Sequence, residues 1–154
     1  MLKKLILGIA ISGALAANLV FALGTESTPE TDALSPHYIA GKSAVELKNW
    51  AVAITSFKKV IAADAGNADA HNYLGYAYRH VNKMDDSFKH YGIALKLDPN
   101  HRGAHEYVGQ AYLKINKLDK AQEHLARLEK ICGLKCEEYQ DLAKSVAAYQ
   151  APKK

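Results

Sequence analysis

Two cysteines near the carboxyl end are the residues whose type and spacing most directly suggest chemistry. Cys132 and Cys136 are the only cysteines among 154 residues. Such a pair can form a structural disulfide, exchange electrons, or supply two ligands to a metal ion. A typical redox motif has two intervening residues beside a βαβ pattern, and a zinc site needs two further ligands. A disulfide is therefore favoured if the chain enters an oxidising compartment, and the redox and metal alternatives stay open.

Seven histidines raise the question of a metal site. His37, His71 and His105 follow one another at intervals of 34 residues. His101 and His105 have the i, i+4 spacing that chelates metals on a helix, but His101 directly follows a proline–asparagine pair and is expected to precede the helix. No third ligand is evident. We therefore predict no metal and no cofactor, and we expect the three periodic histidines to occupy a repeated, partly exposed packing position.

The amino-terminal residues have the pattern of a bacterial secretory signal peptide. Lys3 and Lys4 precede an apolar stretch, and of two small-residue cleavage sites the one ending at Ala22 is favoured. Residues 1–22 are predicted to be the signal peptide and residues 23–33 a flexible polar linker. The mature chain would be periplasmic or secreted, where the cysteine pair favours a disulfide. The alternative is an uncleaved inner-membrane anchor facing the periplasm, because the apolar stretch approaches the ~20 residues that span a bilayer.

The charge of the chain argues against nucleic acid as a partner. The formal net charge is +4, and it falls to about +2 without Lys3 and Lys4. No basic cluster rises above an ordinary solvated helical surface. Membrane contact is expected only through the amino-terminal segment, if it is uncleaved.

A glycine recurs at a fixed period in the remainder of the chain. Gly41, Gly75 and Gly109 are each 34 residues from the next, although glycine inside a helix costs about 1 kcal/mol relative to alanine. Apolar residues recur at helical spacing on both sides of each glycine. The pattern predicts three pairs of amphipathic helices, in which the glycines allow two helices to cross closely.

One more amphipathic helix is predicted after the third pair, at about residues 137–149. Tyr139, Leu142, Val146 and Tyr149 form one apolar stripe there. This helix is expected to cap the last pair, and the cysteines would pin it at a fixed angle.

The middle period, residues 68–101, resembles the tetratricopeptide repeat (TPR) family. The family places a large residue, Leu-Gly, Tyr, a small residue, an aromatic, a small residue and Pro at fixed intervals. This chain has at those places His71, Leu74-Gly75, Tyr78, Ser87, Tyr91, Ala94 and Pro99. The resemblance implies an all-α, right-handed α-solenoid over residues 34–150, with repeats 34–67, 68–101 and 102–135 and the capping helix.

The resemblance also implies that the first helix of each repeat lines a concave groove that binds a peptide. By this correspondence the predicted groove residues are Tyr38, Lys42, Glu46, Asp69, Asn72, Tyr76, Arg79, His80, Glu106, Gln110, Leu113 and Lys114. The alternative is an ordinary solvated polar surface. TPR domains that grip a partner's terminal carboxylate carry Lys and Arg at third-repeat places where this chain has Gly103 and Tyr107. A carboxylate clamp is therefore disfavoured.

The predicted function is a non-enzymatic, exported scaffold that binds a protein or peptide segment. The sequence shows no glycine-rich phosphate loop, nucleophile elbow or metal constellation. The alternative function is redox or metal chemistry at Cys132 and Cys136.

Overall fold

The computed structural model describes residues 35–152, and every element below belongs to that range. The predicted signal peptide, residues 1–22, and linker, residues 23–33, lie outside it and stay predictions. The predicted all-α class is confirmed, because the described residues form helices and turns without a strand. The helices of this range are α1 Pro36–Glu46, α2 Trp50–Ala63, α3 Ala68–His80, α4 Met84–Leu97, α5 Arg102–Lys114, α6 Leu118–Cys132 and α7 Glu137–Gln150.

The turn inside each helix pair has a residue in the left-handed backbone conformation at the same place of the repeat. Lys48, Asn82 and Asn116 have φ angles of 55°, 61° and 60°, and they are 34 residues apart. Asparagine adopts this conformation readily, whereas lysine does so at a cost in free energy. The turn after α4 is different in kind, because Pro99 disfavours helical geometry at Asp98, the residue that ends the helix.

The helices pack as two rows. In the inner row α1 contacts α3, α3 contacts α5 and α5 contacts α7, while α2, α4 and α6 lie outside and pack against the helix that precedes them. Buried apolar clusters join each pair to the next, so the core runs along the stack. None of the helices in residues 35–152 is both long and apolar enough to cross a membrane.

The three periodic glycines lie where another side chain meets the helix backbone. A Cβ on Gly41 would lie 2.8 Å from the Phe57 ring, and a Cβ on Gly75 would lie 2.8 Å from the Tyr91 ring. Gly41 and Gly75 therefore contact the second helix of their own pair, as expected. A Cβ on Gly109 would instead lie 2.5 Å from Leu142, which belongs to α7. The third glycine thus brings α7 against α5.

The helix α7 caps the last pair. Leu142 and Val146 are buried against α5 and α6, whereas Tyr149, at the end of the predicted stripe, is exposed. The turn before α7 begins at Gly133, whose φ of 77° ends α6. Cys132 is the last residue of α6 and Cys136 caps the start of α7, so the disulfide between them bridges this turn.

Candidate functional site

An open cleft of about 970 Å³ lies along the inner row of helices. Its lining comes from α1, α3, α5 and α7, from Ile131 of α6, and from the loops before α3 and α5. The volume is at the upper end of the range typical of ligand sites. The lining is polar and carries more acidic than basic side chains.

Four of the predicted groove residues line this cleft: Lys42, Asp69, Asn72 and Glu106. Tyr38 and Glu46, together with Lys42, line a second depression of about 450 Å³ on α1. Tyr38 is only 8% exposed and packs edge-on against Phe57, so most of its ring is part of the core rather than of a free surface. The binding role of these residues stays a prediction.

The other predicted groove residues contact one another at the carboxyl ends of α3 and α5. Tyr76 packs between His80 and Tyr107, and Arg79 lies over the Tyr76 ring, 5.1 Å from its centroid. Lys114 Nζ donates to the backbone carbonyl of Arg79 at 3.0 Å. The remaining members of this set are the half-buried Gln110 and the buried Leu113. These six predicted groove residues lie outside the lining of the larger cleft, whereas their neighbour Tyr107 belongs to it.

Sequence reasoning missed the contribution of α7 to the cleft. Glu137, Glu138 and Asp141 line it, and Arg102 Nε lies 3.4 Å from Glu138 Oε1 across the gap between α5 and α7. The sequence signal was available, since these acids lie on the polar side of the predicted capping helix. Which way that side faces depends on how α7 packs.

Glu106 is a buried carboxyl at the centre of this acidic region. Burial, together with repulsion from Asp141 and Glu138, raises its pKa to about 7, and the positive charge of Arg79 opposes this shift. Its Oε1 accepts a hydrogen bond of 2.8 Å from the amide nitrogen of Gln110. Near neutral pH this carboxyl group is partly protonated and partly ionised. It can therefore release a proton when a cationic group binds beside it, or take one up when an anionic group does.

Asn72 occupies on α3 the place that Glu106 occupies on α5, one period away. Its side chain is 2% exposed, and Oδ1 accepts no hydrogen bond from any of residues 35–152. A Cβ on Gly103 would lie 3.2 Å from Asn72 Nδ2, so the lack of a side chain at Gly103 leaves room beside this amide. A buried acceptor without a donor costs about 1–3 kcal/mol. A ligand that donates to Oδ1 would recover that cost.

The expectation that the periodic histidines are partly exposed is correct only for the first repeat. His37 is exposed, but His71 and His105 are buried. Their Nδ1 atoms lie 3.0 Å from Nδ1 of His90 and 2.8 Å from Nδ1 of His124, respectively. The partners are also 34 residues apart, so the sequence held the signal for two equivalent pairs.

The hydrogen bonds set the tautomers of the second pair. His105 Nε2 lies 3.0 Å from the carbonyl oxygen of Pro99, which can only accept, so Nε2 carries the hydrogen. The Nδ1 of neutral His105 must then accept from His124. Burial lowers the pKa of His124 to about 4, and it likewise lowers the pKa of His105. Two nitrogens engaged with each other make a structural pair, not a prepared metal site.

The two cysteine sulfurs are bonded to each other at 2.03 Å. The two sulfurs and a carboxylate oxygen of Glu138 lie within 4.8 Å of one another. Within residues 35–152 they are the one set of three possible metal-ligand atoms that lie this close together. Bonded sulfurs carry no thiolate, so the pair as it stands is a bridge between α6 and α7 rather than a ligand set.

Part of the chain matches known repeat proteins in sequence. Residues 38–100 match the family model described as tetratricopeptide repeat. Over 63 residues the chain is 36% identical to Superkiller protein 3 of Schizosaccharomyces pombe. That region is 41% of this chain but only 4% of the length of that protein, so the relative is far longer than the match.

Solved structures show the same fold over most of the chain. The Arabidopsis OM64 TPR domain superposes with a TM-score of 0.66 and 14% identity, covering 73% of this chain and 93% of that domain. The second TPR domain of human RPAP3, in complex with the HSP70 peptide SGPTIEEVD, gives a TM-score of 0.63 and 20% identity, with coverages of 72% and 92%. The 34-residue period of the helix pairs, the family-model match over residues 38–100 and these shared folds show that the chain contains tetratricopeptide repeats and has the fold of a tetratricopeptide repeat domain.

Proposed function

We propose that this chain is a non-enzymatic scaffold that holds a protein or peptide segment in its concave cleft. The observation that carries the proposal is the open cleft of about 970 Å³ between α1, α3, α5 and α7, with the unpartnered Asn72 Oδ1 in its wall. Rows of helices that present a continuous concave surface suit an extended or helical segment better than a small molecule. A structurally similar domain, the second TPR domain of human RPAP3, is described in complex with an HSP70 peptide, which supports this use of the fold.

The mode of binding is expected to differ from that of a terminal-carboxylate clamp. Gly103 and Tyr107 stand where such a clamp has Lys and Arg, and both of them line the cleft. A cleft rich in carboxylates repels a carboxylate-ended peptide. An acidic peptide such as SGPTIEEVD is therefore a suitable negative control.

Binding in the cleft can be tested with a random peptide library. We expect selection on the full chain to yield binders whose amide chemical-shift changes cluster at Asp69, Asn72, Tyr107 and Asp141. These residues come from three different helices and meet only at the cleft. Shift changes confined to α2, α4 and α6, or no binder at all, would contradict the proposal.

We also propose that the chain is exported to the periplasm or secreted, with residues 1–22 removed. The support is the basic, apolar and small-residue pattern of that segment. Amino-terminal sequencing of the chain recovered from the periplasm should then begin at Leu23. Recovery of the intact segment in the membrane fraction would favour the anchored alternative.

A further inference from the structure

We propose that the cleft recognises a basic segment of a partner protein, with Lys or Arg side chains inserted between Glu106 of α5 and the acidic side of α7. This inference rests on the proposed scaffold function and specifies the chemistry of its partner. It follows from the charge of the lining, the contacts that already engage its basic groups, and the unpartnered acceptor in its wall.

The lining holds six carboxyl groups and three basic side chains, Lys42, His101 and Arg102. All three basic side chains are already engaged, and His101 Nε2 lies 3.1 Å from Asp69 Oδ1. Arg102 Nε lies 3.4 Å from Glu138, and Lys42 Nζ donates to the Tyr73 hydroxyl and lies 4.2 Å from the centroid of its ring. The excess negative charge therefore has no counterpart within the cleft.

The uncompensated charge is concentrated where α5 and α7 meet. Glu106, Glu137 and Asp141 form no salt bridge with any of residues 35–152. Glu106 faces Asp141, Glu138 and Glu137 from α7 on one side, and Arg79 of α3 with Gln110 on the other. A carboxyl with three acidic neighbours gains most from a cation placed between them.

Hydrogen-bond capacity points to the same chemistry. Asn72 Oδ1 is an acceptor without a donor among residues 35–152, and carboxylates are also acceptors. The cleft therefore offers an excess of acceptors. Ammonium and guanidinium groups donate several hydrogen bonds and accept none, so they match this excess, and guanidinium does so in a fixed fork. Because several carboxylates are spread along an open cleft, a segment with more than one basic residue fits better than an isolated cation.

The test compares three end-capped peptides of equal length on the full chain. The probes are GRKAGRKAG, the charge-reversed GEDAGEDAG and the neutral GSNAGSNAG, with free spermine as a non-peptide cation. We expect the basic peptide to bind at least about tenfold more tightly than the neutral one, a difference that corresponds to about 1.4 kcal/mol. Binding should weaken as salt increases, because the charges are partly exposed. The acidic peptide should not bind detectably.

Two neutralising variants and a matched control locate the interaction. Glu106→Gln and Asp141→Asn should each lower the affinity for the basic peptide by about tenfold. Glu129→Gln removes the same charge from an exposed position of α6 outside the cleft lining and should leave the affinity unchanged. If all three variants lose the same modest affinity, the effect comes from net charge and the proposed site is wrong.

Proton release gives a readout independent of affinity. A bound cation favours the ionised form of Glu106, so binding near pH 7 should release protons, up to one per Glu106 that is still protonated, into the buffer. Calorimetry in two buffers of different ionisation heat measures this release, which should disappear in Glu106→Gln while Glu129→Gln retains it. Release that persists in Glu106→Gln would contradict the role of this carboxyl.

The outcomes separate this inference from the scaffold proposal. If neutral or acidic peptides occupy the cleft as tightly as the basic one, the scaffold stands and the charge preference is wrong. If spermine binds as tightly as the basic peptide, the site is a cation site rather than a protein-segment site. If no library peptide reaches the cleft, the scaffold proposal itself fails.

Discussion

At the scale of single residues, the periodic glycines remove side chains at places where a neighbouring side chain occupies the space. Tyr91 is fully buried and meets Gly75, while the Ser87 hydroxyl donates to the Gly75 carbonyl at 2.8 Å. The hydroxyl and the ring together bring α3 and α4 into close contact. Gly92, on the exposed side of α4, has nothing within 4 Å of the place where a Cβ would lie. Gly75 and Gly92 are thus helical glycines with opposite surroundings.

Gly75→Ala is expected to lower the free energy of unfolding by about 1–3 kcal/mol, because the new methyl would overpack the Tyr91 ring and the Ser87 backbone. Gly92→Ala should instead raise it by up to about 1 kcal/mol, since alanine is the better helix former and meets no neighbour. Urea unfolding of both variants measures the two changes. Equal effects of the two substitutions would contradict the close-crossing explanation.

At the scale of helices, the buried histidine pairs join the two helices of a repeat. His90 also stacks on Tyr78, with centroids 5.7 Å apart, and His124 stacks on Tyr112 at the same distance. The first pair of helices has Ser56 at the equivalent place on α2 and lacks this arrangement. Two helix pairs out of three are therefore joined by neutral imidazoles.

Stability should fall as the pH is lowered from about 6.5 to about 4. The pKa of His90 is lowered to about 4 by burial and by His71, while its ordinary value is 6.5. Between those values the unfolded chain binds more protons than the folded one, so acid favours unfolding. The contribution is fully present above pH 6.5 and is lost as the pH falls through 4. Thermal unfolding across this range measures the slope.

His90→Ser introduces the residue that α2 has at the equivalent place, Ser56. It is expected to reduce the proton uptake on unfolding by about one per molecule, which flattens the dependence of stability on pH. His37→Ser removes an exposed histidine outside the pairs and serves as the control. At neutral pH the His90 variant should be less stable, because His71 loses its partner. An unchanged slope would show that the pairs do not govern the acid response.

At the scale of the whole molecule, α7 links the end of the stack to the cleft. It buries Leu142 beside Gly109 and places Asp141, the preceding residue, in the cleft lining. The disulfide joins the last residue of α6 to Cys136, the residue before α7. Stability and the proposed acidic site therefore depend on the same helix.

Replacing both cysteines, Cys132→Ser with Cys136→Ser, should lower the free energy of unfolding modestly, toward the low end of the ~0–5 kcal/mol range, because the closed loop is short. Affinity for the basic peptide should fall as the acids of α7 become less well positioned. Melting temperature and peptide affinity are the two measurements. Loss of a thiol-exchange activity with no change in either would instead favour the redox alternative.

The helix pairs, the repeated turns and the positions of the glycines could all be predicted from the amino-acid sequence. These features follow from local conformational preferences and a 34-residue period, which act along the chain. The resemblance to the TPR family also implied that Lys42, Asp69, Asn72 and Glu106 are groove residues, and these four line the cleft. Local pattern was sufficient because each of these residues occupies a fixed place in its own repeat.

Which helix surfaces meet depends on packing between segments that are distant in the sequence. Leu142 rather than a residue of α6 packs on Gly109, and the acids of α7 face Glu106. Neither contact is periodic, because α7 lies outside the repeats and packs against α5 and α6 through its own apolar side chains. Burial of His71 with His90 likewise depends on how α3 crosses α4. A repeat pattern predicts which residues share a helix face, but the charge and burial of a site arise from the neighbours brought to that face.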